Sequence, residues 1–348
     1  MHDEHRNCHR AGEEKRIETR QKPGDEQDRS EKLGVRSEVT EEGRDVVGGE
    51  VRGEGGHAAA SEDLRVPVRD EDESNGDAQQ KRSEVGRPRF HDRVITPLAL
   101  FVSFYLATFW TLGRLVHGQF QWIAVTSAIC ATVATIALWN HGEWDIGLSP
   151  RYAPRDVLYG CLFAVALIGG ADLIIVAVSP LRHVRGNGFP IIDTIILFIP
   201  AALHEELVFR GYPYQVLRAF HRPLALIASS VVFAALHSGN DDVTWLALIN
   251  IFLGGVILAL AYEVYQRLWM PIALHFTWNF MSGPILGYDV SGFTPSHSLL
   301  RTAGGGPAIL TGGDFGIEGS IVLTGMELVA VAFLWRNSIL IRKVSLSA

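Results

Sequence analysis

An all-α membrane bundle is the fold class this sequence predicts, and two observations carry the prediction. The first is the partition of charge: residues 1–90 hold 17 basic and 23 acidic side chains, against 14 and 15 in residues 91–348. The second is a series of apolar runs in the second segment. A hydrocarbon core of about 30 Å takes about 20 apolar residues in a helix that rises about 1.5 Å per residue. Residues 1–90 are too polar to bury a core and are expected to form a disordered, charged cytoplasmic tail. Residues 91–348 are far poorer in charge than a soluble domain, where about a quarter of residues are charged. They are expected to form one polytopic domain of about eight transmembrane helices.

The expected spans are 94–112, 121–139, 156–178, 191–210, 223–239, 243–262, 269–288 and 320–340. The fifth is short. Its boundary with the sixth rests on Ser238-Gly239-Asn240-Asp241-Asp242, a Gly and Asn turn followed by two charges. Arg and Lys near the span ends favour one side by 12 to 4, including Arg151, Arg155, Arg218, Arg222 and Arg267. By the positive-inside rule this predicts a multi-pass protein of the cell (plasma or inner) membrane with both termini cytoplasmic. The loop from Asp289 to Gly319 is rich in Gly, Ser and Thr. It reads as a flexible extramembrane connection, with a cover over the bundle mouth as the functional alternative.

Several classes are excluded or disfavoured. Both charge signs are mixed throughout the tail, so there is no one-signed basic stripe and no nucleic-acid partner is expected. Cys8, Cys130 and Cys161 do not form a disulfide framework. A transporter would place charges along a through-path and often shows internal repeats. Here no repeat is visible, and the polar groups gather in three spans.

Each charge inside a span needs a reason, because it costs about 2.5–3.5 kcal/mol at mid-membrane even on insertion scales. The fourth span ends with His204-Glu205-Glu206-Leu207-Val208-Phe209-Arg210, the fifth contains Phe233-Ala234-Ala235-Leu236-His237, and the seventh contains His275-Phe276-Thr277-Trp278-Asn279. Residues four apart share a helix face, so Glu206 can pair with Arg210. Glu205 is turned about 100° away and is left for another task. His275 and Asn279 also share a face, and His237 completes a cluster drawn from three helices. Taken singly, Glu206–Arg210 is an intrahelical ion pair and each histidine a helix-to-helix hydrogen bonder; the combination is what points to a site.

These three motifs, in this order and on these spans, resemble the CPBP intramembrane proteases, also called the CAAX protease and bacteriocin-processing (Abi) family, whose best-known member is the type II CAAX prenyl endopeptidase. The resemblance covers roughly residues 95–340. The family's Glu-Glu-x-x-x-Arg falls on Glu205, Glu206 and Arg210, its Phe-x-x-x-His on Phe233 and His237, and its His-x-x-x-Asn on His275 and Asn279. It implies an intramembrane endopeptidase acting on a peptide or protein substrate in or at the lipid bilayer. Glu205 would be the general base, His237 and His275 would position the water, and Asn279 would donate to the oxyanion. Glu206, Arg210 and Phe233 would orient them.

Glu205, His237 and His275 would also make a zinc set. The helical pattern His-Glu-x-x-His is not met, because Val208 stands where its second histidine would be. The metal-free glutamic mechanism is favoured, with no cofactor, and zinc is the alternative. A catalytically silent scaffold or bacteriocin-immunity protein of the same family is the rival function. Depth leaves one puzzle. Glu205 and His275 lie within about two turns of the basic ends of their spans, whereas a straight fifth span puts His237 about 20 Å deep. Resolving this needs a tilt, a later start, or a segment 212–222 that dips into the bundle. His204, Asp172, Asp193 and Glu327 are further polar residues in spans, and His2, His5, Cys8 and His9 have a metal-like composition without a fold to hold them.

Overall fold

The computed structural model describes residues 90–116, 120–142 and 144–347, with side chains as far as Ile341. The expected disordered tail and its His and Cys residues lie outside the described residues. The bundle consists of α1 (Thr96–Leu115), α2 (Phe120–Trp139), α3 (Ala153–Val178), α4 (Ile199–Phe209), α5 (Tyr212–Leu236), α6 (Trp245–Tyr265), α7 (Trp269–Phe280) and α8 (Ile321–Ser347). Strands β1 (Arg182–Arg185) and β2 (Leu300–Ala303) pair antiparallel, with Arg182 opposite Ala303.

Five helical stretches among the described residues are long and apolar enough to cross a membrane: His91–Leu115, Phe120–Trp139, Pro150–Val178, Trp245–Tyr265 and Ile321–Ile341. They cover the first, second, third, sixth and eighth expected spans. The other three, α4, α5 and α7, carry the motifs and are short or kinked. Helix α4 has 11 residues, opens with Pro200 near its start, and follows a π turn over Thr194–Phe198. Helix α7 has 12 residues and runs into a π turn, Met281–Ile285, that contains Pro284. Helix α5 is kinked: His221 has non-helical φ −153° and ψ 98°, two residues before Pro223. A proline removes one backbone donor and clashes with the preceding turn, so the helix breaks there. The His221 Nδ1 then accepts from the Leu224 backbone N–H at 3.1 Å, capping the second half.

Around these broken helices the long ones form a frame. Helix α4 lies between α2 and α7, α3 packs on α7, and α6 packs against both α5 and α8. At the α3–α7 crossing, a Cβ on Gly160 would come within 2.6 Å of the Met270 carbonyl oxygen. Only glycine permits that approach, as small residues do at close crossings in membranes.

The two ends of the bundle differ. One end carries the ion pairs: Arg218 (2.8 Å) and Arg222 (2.5 Å) bond Glu263, and Arg267 bonds Asp156. The other end carries the β1–β2 sheet, the turn after α5, and residues 289–319. That last segment is not the flexible connection expected. Val290, Phe315, Ile317 and Glu318 are buried. It folds into a compact strap because its glycines let backbone meet backbone. Gly316, at φ +96°, has room for no side chain: a Cβ there would stand 1.8 Å from the Asp289 carbonyl oxygen.

Candidate active site

Helix α4 presents its two adjacent glutamates differently. The Glu206 side chain is fully buried, whereas that of Glu205 keeps 22% exposure. This is the outcome of the 100° turn between neighbours on a helix. One turn on, Arg210 donates through Nη1 to Glu206 Oε1 at 2.9 Å and through Nη2 to the Gly255 carbonyl at 2.9 Å. Its guanidinium lies 4.9 Å from the centre of the Phe233 ring. The buried cation is therefore offset by a carboxylate, a carbonyl and an aromatic face.

The seventh expected span brings His275 to the same carboxylate. His275 Nδ1 is 2.9 Å from Glu206 Oε1, and its Nε2 is 3.8 Å from Glu205 Oε2. A carboxylate oxygen accepts, so Nδ1 carries the proton in this bond. His237, at the C-terminal end of α5, has the same arrangement: its Nδ1 is 2.7 Å from the Phe233 carbonyl oxygen, which can only accept. In both rings Nε2 is the free nitrogen. Phe233 ties the two together, with ring centres 4.7 Å from His237 and 6.0 Å from His275.

A cavity of about 750 Å³ is lined by Glu205, His237, His275 and Asn279 together, and by Phe233. Glu206 and Arg210 stand behind its wall. All seven sequence-predicted residues thus gather at one place. The depth puzzle is also resolved. Segment 212–220 is a separate helical piece that enters the bundle, with Tyr212, Tyr214, Gln215 and Val216 buried. The cavity also extends to the strap end, where Asn240, Ser291 and Phe293 line it. His237 lies near that mouth and Glu205 lies deeper.

The geometry adds residues that sequence reasoning did not assign. Tyr105 on α1 places its Oη 2.8 Å from His204 Nε2, and the two rings stack 5.8 Å apart. His204 also lines the cavity. Trp278, three residues after His275, donates Nε1–H to Glu318 at 2.9 Å. Glu318 also accepts from the Ser291 N–H (2.8 Å) and hydroxyl (2.7 Å), which staples the strap to α7. No local spacing links Glu318 to the motifs; only the fold joins them.

The remaining polar residues separate from the site. Asp172 accepts from His183 and from Tyr288, both at 2.8 Å, as a packing residue between α3 and the strap end. Asp193 sits in the first turn of the short piece before α4. Glu327 is fully buried on α8, and neither carboxyl oxygen has a hydrogen-bond partner among the described residues. As for zinc, no three His, Cys, Asp or Glu among the described residues are arranged to hold a metal ion. His275 directs one nitrogen to Glu206 and the other towards Glu205.

No curated protein and no solved structure matches the chain. The family model described as Type II CAAX prenyl endopeptidase Rce1-like matches residues 187–281, which run from just before α4 through α7 and hold all three motifs. The match bears out the resemblance for this stretch: residues 187–281 are similar to the Rce1-like type II CAAX prenyl endopeptidases, which supports a CAAX-type intramembrane protease in a multi-pass membrane bundle.

Proposed function

We propose that the protein hydrolyses a peptide bond of a membrane-associated substrate with a water activated by Glu205. The observation that carries this reading is the 3.8 Å gap between Glu205 Oε2 and His275 Nε2. It is too long for a direct hydrogen bond and suits a bridging water. Glu205 Oε2 is buried and makes no hydrogen bond among the described residues, so it is free to accept from a water.

In the proposed reaction the water oxygen attacks the scissile carbonyl carbon while Glu205 takes a proton from it. His275 accepts the water's second O–H through its free Nε2, and His237 positions the water from the other side of the cavity. Asn279 donates to the oxyanion, a role that electrostatic preorganisation makes large in a water-poor site. The C–N bond then breaks, and Glu205 returns the proton to the leaving amine. Glu206 orients His275 and neutralises Arg210. Were zinc required instead, Glu205, His237 and His275 would be the residues to supply its ligands after rearrangement.

The test is cleavage of a quenched peptide by purified protein in lipid vesicles. Glu205→Gln keeps the size and polarity of the side chain but removes the proton acceptor. The rate should fall by about 10²–10⁴, the usual worth of general-base assistance. Wild-type rates in Glu205→Gln protein would sink the reading. Activity lost to a chelator and restored by metal would transfer it to the zinc alternative. A cellular phenotype that survives both Glu205→Gln and His275→Ala would favour a scaffold.

A further inference from the structure

Glu318 lines the cavity together with Asn279, is buried, and takes no part in the reaction proposed above. Its backbone is fixed on both sides. A Cβ on Gly316 would stand 1.8 Å from the Asp289 carbonyl oxygen, and one on Gly319 would stand 2.4 Å from the Gly312 carbonyl oxygen. The Glu318 carbonyl accepts from the Asn250 side-chain amide of α6 at 2.7 Å. From that fixed point the carboxylate reaches two ways. Oε1 accepts from the Trp278 indole N–H at 2.9 Å. Oε2 accepts from the Ser291 backbone N–H at 2.8 Å and from its hydroxyl at 2.7 Å. Ser291 continues the path. Its carbonyl accepts from the Asn240 side-chain amide at 2.9 Å, and the Asn240 backbone N–H bonds the His237 carbonyl at 3.1 Å. One carboxylate therefore links the turn that carries His237 to the helix that carries His275 and Asn279.

Both ends of that link stand where regular helix gives out. His237 starts a 3₁₀ turn, His237–Gly239, at the end of α5. Asn279 stands two residues before the π turn Met281–Ile285, where the α-helical ladder of α7 ends. Glu206 holds His275, one turn earlier on α7. We infer, resting on the protease reading and on the oxyanion role of Asn279 proposed above, that Glu318 is a positioning residue: it locks Trp278 and so sets the Asn279 amide across the cavity from His237. A carboxylate suits the task because both of its oxygens accept and all three groups that meet it donate. Glutamine has the same size but would turn its NH₂ towards either the Trp278 or the Ser291 N–H. One of the two grips is then lost, and a buried donor is left unpaired. Position matters steeply for such a donor, since a misplacement of about 1 Å can cost about 10² in rate.

The experiment uses full-length protein in lipid vesicles, the quenched peptide, and the variants Glu318→Gln, Trp278→Phe and Asn279→Ala. Glu318→Gln should lower kcat by about 10- to 100-fold and leave KM within about twofold. Trp278→Phe, which keeps an aromatic ring and removes the N–H, should act in the same direction. A double-mutant cycle separates positioning from support of the fold. In Asn279→Ala protein the oxyanion donor is already gone, so adding Glu318→Gln should cost less than about twofold more. Equal losses in both backgrounds, or a wild-type kcat in Glu318→Gln, would overturn the inference and leave the protease standing. Should Glu318→Gln fail to fold, Trp278→Phe takes its place in the cycle. Labelling with 5-fluorotryptophan gives a reading that does not depend on activity. The Trp278 ¹⁹F resonance, assigned by its loss in Trp278→Phe, should shift or broaden in Glu318→Gln; an unchanged resonance would also overturn the inference. If wild-type protein cleaves no peptide, the protease reading falls, and the resonance alone decides whether Glu318 locks Trp278.

Discussion

His275 is held by one glutamate of the pair and faces the other. Its Nδ1 is 2.9 Å from Glu206 Oε1, the same oxygen that accepts from Arg210, and its Nε2 looks towards Glu205. A single carboxylate oxygen therefore fixes the orientation of the imidazole and offsets a fully buried guanidinium. The two glutamates have separable tasks, although they are neighbours in the chain.

Glu206→Gln should cost stability as well as activity. The amide carries no charge to set against Arg210, and removing one partner of a buried pair typically costs about 3–5 kcal/mol. Thermal unfolding in detergent, compared with Glu205→Gln, is the measurement. Equal melting temperatures for the two variants would contradict the division of labour.

The strap should depend on Gly316. Alanine there must adopt positive φ and would meet the Asp289 carbonyl, so Gly316→Ala should destabilise by more than about 1 kcal/mol. Limited proteolysis should then cut between residues 289 and 319 faster than in the wild type. Unchanged protease resistance would mean the strap tolerates a shift of its backbone.

His183 should make stability depend on pH. Its hydrogen bond to Asp172 raises its pKa above the ordinary 6.5, with the Asp172 charge helping and burial opposing. A histidine whose folded pKa is raised contributes stability that is fully present below its unfolded pKa and is lost as pH rises through the folded value. Melting temperature should therefore fall as pH is taken from below 6.5 up through that window. His183→Gln should flatten this part of the profile. An identical profile in the variant would assign the pH dependence elsewhere.

Orientation can be read directly. Helix α8 starts at the strap end and runs to the opposite one, so Ser347 and Gly305 should report opposite sides of the membrane. Gly305 is exposed, and a Cβ there would meet nothing within 4 Å, which makes it a safe insertion point. The basic asymmetry of the spans places a reporter after Ser347 in the cytoplasm and one at Gly305 outside. The reverse result would invert the bundle and open the cavity to the cytoplasm.

Chemistry that depends on spacing along one helix was legible in the sequence. Glu206–Arg210 and His275–Asn279 are four-residue pairs, and a helix places such residues on one face whatever surrounds it. The apolar runs of α1, α2, α3, α6 and α8 were equally plain, because a bilayer imposes length and composition on a span. The three motif helices were harder to delimit. Their prolines and π turns shorten or bend them, and hydropathy averages over such breaks.

What only the tertiary structure decided is how those segments meet. The choice of Glu206 for His275 Nδ1, the Phe233 ring between two imidazoles, the Tyr105–His204 contact and the grip of Glu318 on Trp278 and Ser291 all join residues on different elements. So does the kink at His221, beyond which segment 212–220 buries Tyr212, Tyr214, Gln215 and Val216 in the bundle. The physical reason is common to all of them. Periodicity tells which face of a helix is polar, whereas the partner of that face is set by crossing angles and close approaches such as Gly160 on Met270. Those are properties of packed pairs of helices, and a single run of residues does not contain them.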